Sequence, residues 1–390
     1  MRSFNYAVPT TALFGCGQLN NLNIQELPGK KALIVISNGK STRENGYLAR
    51  VEEQLCLADI EYVVFDKIQP NPLKDTVMEG GLFARKKGCD FIVALGGGSV
   101  MDASKGIAVM ATNEGDLWDY IKSGTGKGKE IENMPLPIVA ITTTAGTGSE
   151  TDCGGVITNP ETHEKTGLVD PMLFPRLAVI DPGLMKTVPP RFTAYQGFDA
   201  LFHSVEGYIS KKANLMSDMV GSEAIKNIGK YLARAVHNGD DMEAREHVAF
   251  ANYLSGIEMC VGSTSSQHSL EHAMSAYHQD LPHGAGLIML SKSYFSFFIG
   301  KHQCDARFVE MAKLLGLKTA AQPMDFIAAL TNLQKACGVD DLKMSDYGIT
   351  PGEFETMAKN AMNTMGGLFL CDRYTLTVED CIKIYANAYK

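Results

Sequence analysis

Two helix-spaced pairs of metal-ligating residues stand in the second half of this 390-residue sequence. Asp199 and His203 are four residues apart, and so are His268 and His272. Side chains four residues apart project from one face of an α-helix, so each pair forms half of a metal site. His283, in a Pro-His-Gly segment, adds a further imidazole. One carboxylate and three imidazoles suit Fe²⁺, Zn²⁺ or a similar divalent ion and leave room for a substrate oxygen.

The alternative is that these histidines are ordinary surface or core residues, as a single histidine usually is. Four of the nine histidines fall within sixteen positions, however, and the two helix-spaced pairs follow one another along the chain. The combination favours the metal site. His278 is given no role, and the histidines that stand apart are interpreted as structural: His163, His237, His247 and His302.

A glycine-rich turn, in ALGGGSVMDASKG, lies between an apolar run and a predicted helix. Glycines such as Gly97 and Gly98 let the backbone approach a ligand closely, and the first helical amides then face an anion. A diphosphate fits this arrangement. The alternative is a capping box, because Ser99 and Asp102 form S-x-x-D. Capping alone does not require three glycines, which favours phosphate binding, although the turn lacks the G-x-G-x-x-G dinucleotide pattern.

A second polar turn, TTTAGTGSE, follows the apolar run PIVAITT and contains Thr143, Thr144 and Thr147. Ligands of α/β sheets gather beyond the carboxyl ends of the strands, where hydroxyl groups bind a ribose or an amide. The alternative is a plain Ser/Thr-rich loop. Its placement beside the glycine-rich turn supports ligand binding as well as the plain loop, and both interpretations stay open here.

The elements that must position these turns alternate between strand and helix in the first half of the chain. Near-continuous apolar runs are typical of parallel strands buried on both faces, and helical spacing fills segments 71–88 and 99–113. This order predicts a doubly wound α/β domain of the Rossmann-like type. The predicted strands are Lys30–Ile36, Tyr62–Asp66, Asp90–Gly97 and Pro137–Thr143.

The second half of the chain has a different character. After the prolines at 182, 189 and 190 it consists of helical-period segments rich in Ala, Met and Leu. We therefore predict a nucleotide-binding α/β domain over residues 1–185 and an all-helical metal-binding domain over residues 186–390. A cleft between two such halves is the expected ligand site.

Composition narrows the class of protein further. Apolar residues make up 45% and charged residues 21% of the chain, which predicts a folded globular protein. A net charge of −8 without a basic block argues against nucleic acid and against anionic membranes, so the expected partner is a small molecule. Nine scattered cysteines without a C-x-x-C pair, and the lack of an apolar leader or spanning segment, predict a cytoplasmic protein with reduced thiols.

The motifs GGGSVMDASKG, TTTAGTGSE, IDPGL, GFDALFHSVEGYIS and H-x-x-x-H…PHG, in this order, resemble the iron-containing (group III) alcohol dehydrogenase family. The resemblance runs from FNYAVPTTALFG to the last predicted helices. It implies a two-domain, dehydroquinate-synthase-like fold, a homo-oligomer, and hydride exchange between NAD or NADP and a small alcohol or aldehyde.

The resemblance also implies roles for individual residues. The family's metal ligands correspond to Asp199, His203, His268 and His283, and its proton-relay histidine corresponds to His272. Its cofactor-binding positions correspond to Asn71, Gly97, Gly98, Ser99, Asp102, Thr143, Thr144, Thr147 and Lys165.

Two departures from the family pattern concern the cofactor. Ser37 stands where NAD-preferring members often carry an aspartate that binds the ribose 2′-hydroxyl and repels a 2′-phosphate. NADP is therefore allowed beside NAD, and Lys40 is near enough in sequence to pair with its phosphate. Asp152-Cys153-Gly154 replaces polar residues that frame the cofactor in relatives.

The resulting hypothesis is a metal-assisted dehydrogenase. The ion, Fe²⁺ or alternatively Zn²⁺, lowers the pKa of a short-chain primary alcohol or diol, hydride passes to the nicotinamide, and His272 relays the hydroxyl proton. One alternative is a lyase like dehydroquinate synthase, or an enzyme like glycerol dehydrogenase, on the same fold. The other is a non-catalytic binding protein, against which the intact metal-ligating and glycine motifs argue.

Overall fold

The predicted apolar runs form strands in the computed structural model, which describes residues 3–390. Six strands build one parallel sheet in the order β1-β8-β5-β4-β2-β3, and β6 and β7 form a separate antiparallel pair. The strands are β1 (Thr11–Phe14), β2 (Lys31–Ser37), β3 (Glu61–Ile68), β4 (Phe91–Gly96), β5 (Ile138–Thr142), β6 (Gly154–Asn159), β7 (Glu164–Val169) and β8 (Leu177–Ile180).

Both faces of the parallel sheet are buried, as its apolar strands require. Leu33 and Val35 of β2 belong to one core cluster, and the alternate residues Ala32, Ile34 and Ile36 belong to another. A period of two places successive side chains on opposite faces. The α-helices of this part of the chain are α1 (Ser41–Glu44), α2 (Tyr47–Leu57), α3 (Lys74–Lys87) and α4 (Gly98–Thr112).

The strand order reverses between β2 and β4. From β2 the chain first adds β3 on one side and then adds β4, β5 and β8 in turn on the other side. The crevice at such a reversal, beyond the carboxyl ends of the strands, is where open α/β sheets bind ligands. Here β2 ends at Ser37 and β4 ends at Gly96, so both predicted cofactor positions lie at this edge.

After Thr187 the described chain forms α-helices and 3₁₀ turns and no further strand. The α-helices are α5 (Pro190–Ile209), α6 (Leu215–His237), α7 (Met242–Val261), α8 (Ser266–Tyr277), α9 (His283–Gly300), α10 (Asp305–Leu314), α11 (Asp325–Ala336), α12 (Phe354–Phe369) and α13 (Val378–Ala388). Within residues 3–390 no helix is long and apolar enough to cross a membrane.

The chain forms two compact units. The sheet unit comprises Ala7–Thr144 and Gly148–Thr187, and the helical unit comprises Val188–Lys390 with Ala145–Thr147 and residues 3–6. The predicted fold class, a parallel α/β sheet followed by an all-helical region, is confirmed. The sequence interpretation missed β1, β8 and the β6–β7 hairpin, all of them strands of four to six residues.

Candidate metal centre and cofactor site

Three helices of the helical unit carry the predicted metal ligands. Asp199 and His203 lie on α5, His268 and His272 lie on α8, and His283 is the first residue of α9. Each four-residue pair lies within one helix, as the spacing predicts. All five side chains come together, because the His268 and His283 ring centroids are 5.4 Å apart and the His203 and His268 rings stack at 4.4 Å.

One carboxylate oxygen is the centre of the cluster. The Nε2 atoms of His283, His268 and His203 lie 3.4, 3.5 and 3.6 Å from Asp199 Oδ1. A tetrahedral ion with bonds of about 2.1 Å holds its ligand atoms about 3.4 Å apart. Among the described residues, buried Asp199 Oδ1 and His268 Nε2 have no hydrogen-bond partner. The donor set therefore fits a divalent cation, with Asp199, His268 and His283 mutually within 4.8 Å.

Two buried glutamates support the far side of the ligand rings. His268 Nδ1 lies 2.5 Å from Glu206 Oε1, and His283 Nδ1 contacts Glu271 Oε2. Both glutamates are fully buried. A carboxylate that accepts the Nδ1–H of a histidine fixes the tautomer in which Nε2 binds the metal. Glu206 and Glu271 thus favour the tautomer in which the Nε2 atoms of these two imidazoles could bind an ion.

Glu206 is itself held by the protein. Its Oε2 accepts hydrogen bonds from the backbone N–H of Ser265 at 2.7 Å and from the Ser265 hydroxyl at 3.0 Å. The Tyr294 hydroxyl lies 3.1 Å from the Ser265 hydroxyl and donates to Asp372 Oδ1 at 3.1 Å. This network fixes the carboxylate before any ligand binds.

The electrostatics of the cluster favour a cation. Burial raises the pKa of Asp199, but His203 and His283 outweigh burial and hold that pKa well below its ordinary range. Burial lowers the pKa of His203 to about 3, which leaves its imidazole neutral and able to ligate. Burial also lowers the pKa of His268, but Glu206 and Asp199 outweigh it and raise that pKa to about 10. Carboxylates that attract a proton to this position also attract a divalent ion.

His272 lies beside the ligands rather than among the atoms around Asp199. Its ring centroid is 5.1 Å from that of His283, and its Nδ1 is 2.7 Å from the sulfur of Met365 on α12. His272, Glu271 and His283 also offer one atom each within 4.8 Å of one another.

The glycine turn of the sheet unit starts α4. Gly97 is the N-cap residue, Gly98 and Ser99 form the first turn, and no side chain caps the helix. The capping-box alternative for Ser99 and Asp102 is therefore wrong. The first amides of α4 remain available to an anion, as a phosphate-binding turn requires.

Asp102 is engaged inside the protein. Its Oδ1 accepts the Ser149 hydroxyl at 2.6 Å, and its Oδ2 accepts the Val156 N–H at 2.9 Å. Burial raises its pKa to about 6 despite the neighbouring Lys105. Lys105, one turn further along α4, donates to Asp152 Oδ1 at 2.6 Å. These contacts tie the helix behind the glycine turn to the loop and hairpin that follow β5.

The remaining predicted cofactor residues occupy three places. Lys165 of β7 donates to Asn71 Oδ1 at 3.0 Å. The threonine turn is divided, since Thr143 and Thr144 belong to the sheet unit and Thr147 to the helical unit. Ser37 borders a surface cavity at the end of β2 that is also lined by Lys40, Arg43, Glu44 and Asp66.

The sequence interpretation missed Glu206 and Glu271. A spacing signal was present for both, because Glu206 is three residues after His203 and Glu271 is three residues after His268. Residues three apart share a helix face. Met365 carried no such signal, since it lies 93 positions from His272.

A glycine turn at the reversal of strand order and a buried carboxylate–histidine cluster are features typical of metal-dependent, nucleotide-using enzymes. Comparison with known proteins agrees. Residues 9–182 match the family described as iron-containing alcohol dehydrogenase, and residues 193–389 match its C-terminal family. The chain is 36% identical to the 1,3-propanediol dehydrogenase of Klebsiella pneumoniae, an alignment that covers 93% of each chain.

Two further relatives span almost the whole chain. The NAD-dependent methanol dehydrogenase of Bacillus methanolicus is 32% identical over 98% of this chain and 99% of its own. An alcohol dehydrogenase from an archaeon of a Red Sea brine pool has a structure with a TM-score of 0.95, 31% identity and full coverage of both chains. The chain belongs to the iron-containing alcohol dehydrogenase family. It is an oxidoreductase that acts on alcohols, and the family implies a divalent metal and NAD(H).

Proposed function

We propose that the protein oxidises a short-chain primary alcohol or diol, of the butanol, 1,3-propanediol or lactaldehyde type, and reduces the corresponding aldehyde. The observation that carries the proposal is the convergence of three Nε2 atoms on Asp199 Oδ1, backed by Glu206 and Glu271. The names of the relatives, 1,3-propanediol and methanol dehydrogenases, support the substrate class.

The proposed ligands are Asp199, His203, His268 and His283, and the proposed ion is Fe²⁺, with Zn²⁺ as its competitor. A divalent ion bound there supplies Lewis acidity to the alcohol oxygen. The protein holds Nε2 of His268 and of His283 in place through the hydrogen bonds of their Nδ1 atoms to Glu206 and Glu271. His272 is the proposed proton relay, because an imidazole titrates near working pH and this one adjoins His283.

The proposed cofactor is a nicotinamide dinucleotide, which supplies the hydride acceptor. Gly97, Gly98 and Ser99 would bind the diphosphate at the start of α4, with the dipole of that helix behind it. The other proposed cofactor residues are Ser37, Asn71, Asp102, Thr143, Thr144, Thr147 and Lys165. Of these, Asp102 would act indirectly, because both of its oxygens accept hydrogen bonds from the protein.

NADP is proposed as a cofactor beside NAD. Ser37 ends β2 in place of the acid that repels a 2′-phosphate, and the same cavity is lined by the cations Lys40 and Arg43 and by the acids Glu44 and Asp66. Arg43 donates to Asp66 at 2.8 Å, which leaves Lys40 as the main cation for a phosphate there. We expect Lys40→Ala to raise the KM for NADP⁺ about tenfold and to leave the KM for NAD⁺ unchanged. Equal effects on both cofactors would refute this role.

The domain roles and the cellular setting are also proposals. Residues 1–185 would bind the dinucleotide and residues 186–390 the metal and substrate. The nine cysteines, of which Cys89, Cys337 and Cys381 are buried thiols, support a reducing, cytoplasmic setting. A homo-oligomer, dimer or larger, is expected from the family. Cell fractionation and light scattering of the purified protein test these two points.

The experiment that tests the function starts from protein stripped of metal and reloaded with Fe²⁺ or Zn²⁺ without oxygen. Reduction of NAD⁺ and NADP⁺ is followed by absorbance with a panel of short alcohols and diols. We expect metal-dependent reduction that His283→Ala abolishes together with metal content. If metal and dinucleotide bind but no alcohol is oxidised, the proposed substrate class is wrong.

A further inference from the structure

Helix α12 is kinked at Met365, and Met365 contacts His272, the proposed proton relay. Met365 has φ −130° and ψ 39°, outside the helical range, within the element Phe354–Phe369. Two glycines, Gly366 and Gly367, follow it and give the backbone the freedom for such a kink. The kink places the Met365 sulfur 2.7 Å from His272 Nδ1.

The most exposed side chain of the metal cluster is His283, and its ring centroid is 5.1 Å from that of His272, which Met365 contacts. Asp199 and His268 are only 4% and 3% exposed, whereas the His283 side chain is 22% exposed. Met365 is likewise partly exposed. Apart from neighbouring residues of the same helix, a methyl group added at Gly366 or Gly367 would meet no heavy atom within 4 Å, so these two positions face open space.

We infer that Met365 forms the wall that limits the length of the substrate's carbon chain. The inference rests on the proposed alcohol dehydrogenase activity and adds a specificity-determining residue to it. An alcohol whose oxygen reaches the ligands past His283 extends its carbon chain along the exposed side, where the Met365 thioether lies next to His272. Methionine is unbranched and adaptable, so it restricts size without fixing a single substrate shape.

The volume of residue 365 should therefore set the preference between short and long alcohols. One methylene in an apolar pocket changes kcat/KM by roughly 10- to 200-fold. We expect Met365→Ala to raise the kcat/KM ratio of 1-hexanol over ethanol by at least about tenfold. Met365→Phe, which adds a larger and stiffer side chain, should lower the same ratio by a similar factor.

The experiment uses the metal-loaded full-length protein with saturating dinucleotide and linear alcohols from two to six carbons. Met324→Ala is the matched control, because Met324 lies in the same unit, is 49% exposed and precedes α11, away from the metal ligands. Its alcohol preference should equal that of the wild type. Metal content is measured for every variant, and residue 365 is expected to leave it unchanged.

The outcomes separate this inference from the function beneath it. One outcome is that the wild type oxidises ethanol and that both Met365 variants keep its hexanol-to-ethanol kcat/KM ratio within about twofold. This outcome would overturn the inference and leave the proposed function standing. Absence of alcohol oxidation by the loaded wild type would overturn both. If Met365→Ala does not fold, Met365→Phe and Met365→Leu decide the question by the same ratio.

Discussion

Replacing Glu206 with glutamine should weaken metal binding although Glu206 is not a ligand. The carboxylate accepts three hydrogen bonds, from His268 Nδ1 at 2.5 Å and from the Ser265 N–H and hydroxyl at 2.7 and 3.0 Å. A glutamine side chain has one oxygen and one NH₂ group. Its NH₂ group must therefore face either His268 or Ser265, both of which donate hydrogen bonds to the wild-type carboxylate.

Either orientation of the glutamine has a cost. If the NH₂ faces His268, the favoured tautomer carries its proton on Nε2, where it blocks ligation. If the NH₂ faces Ser265, buried donors lose their acceptor, at about 1 to 3 kcal/mol. Loss of such a support typically lowers metal affinity 10- to 100-fold, which corresponds to about 1.4 to 2.7 kcal/mol.

The assay is competition between the protein and a chelator of known affinity for Zn²⁺ or Co²⁺, with bound metal counted by elemental analysis. Glu353→Gln is the control, because Glu353 forms the same kind of pair with His278, at 2.8 Å, and His278 is not a ligand. A folded Glu206→Gln protein whose metal dissociation constant stays within threefold of the wild type would refute the reasoning.

Two further predictions concern other parts of the molecule. In Gly97→Ala the new methyl group would lie 2.8 Å from Thr144 Cγ2, so the turn must shift. We expect the dinucleotide Kd, measured by NAD(P)H fluorescence, to be at least about tenfold higher and the metal content to be unchanged. An unaltered Kd would count against phosphate binding at this turn. Glu258 has no hydrogen-bond partner, and burial, with Asp218 and Glu206 nearby, raises its pKa well above the ordinary 4.5. Above pH 4.5 the unfolded chain releases the Glu258 proton, whereas the folded protein keeps it. The stabilisation that comes from this proton is therefore complete below pH 4.5, and the free energy of unfolding falls by up to about 1.4 kcal/mol per pH unit as pH rises toward the folded pKa. Glu258→Gln should remove this slope, so that its Tm advantage over the wild type widens with pH, whereas parallel Tm–pH curves would contradict the assignment.

Much of the metal centre was predictable because its signal is local. The four-residue spacings of Asp199 with His203 and of His268 with His272 require only that each segment be helical. The glycine turn was predictable for the same reason, since a strand end, three glycines and a helix start are consecutive in the sequence. Apolar runs such as β2 and β4 were predictable because strands buried on both faces lack polar residues.

Only the tertiary structure decided which residues support these motifs. The short strands β1 and β8 carry too few residues for a periodic signal, and they exist because each pairs with a neighbour far along the chain. Glu206 shares a helix with two ligands, but its partner His268 comes from another helix 62 positions away. Met365 reaches His272 across 93 positions through a helix kink.

The sequence alone therefore determined the family, the order of strand and helix, and the residue types proposed to bind metal and phosphate. Strand, helix and residue type depend on neighbouring residues in the chain, and the family is indicated by the order of its motifs along the sequence. The tertiary structure decided the orientation of each imidazole, the neighbouring histidines that lower the pKa of Asp199, the burial that raises the pKa of Glu258, and the partial exposure of His283. These depend on packing between distant segments, which local spacing does not encode.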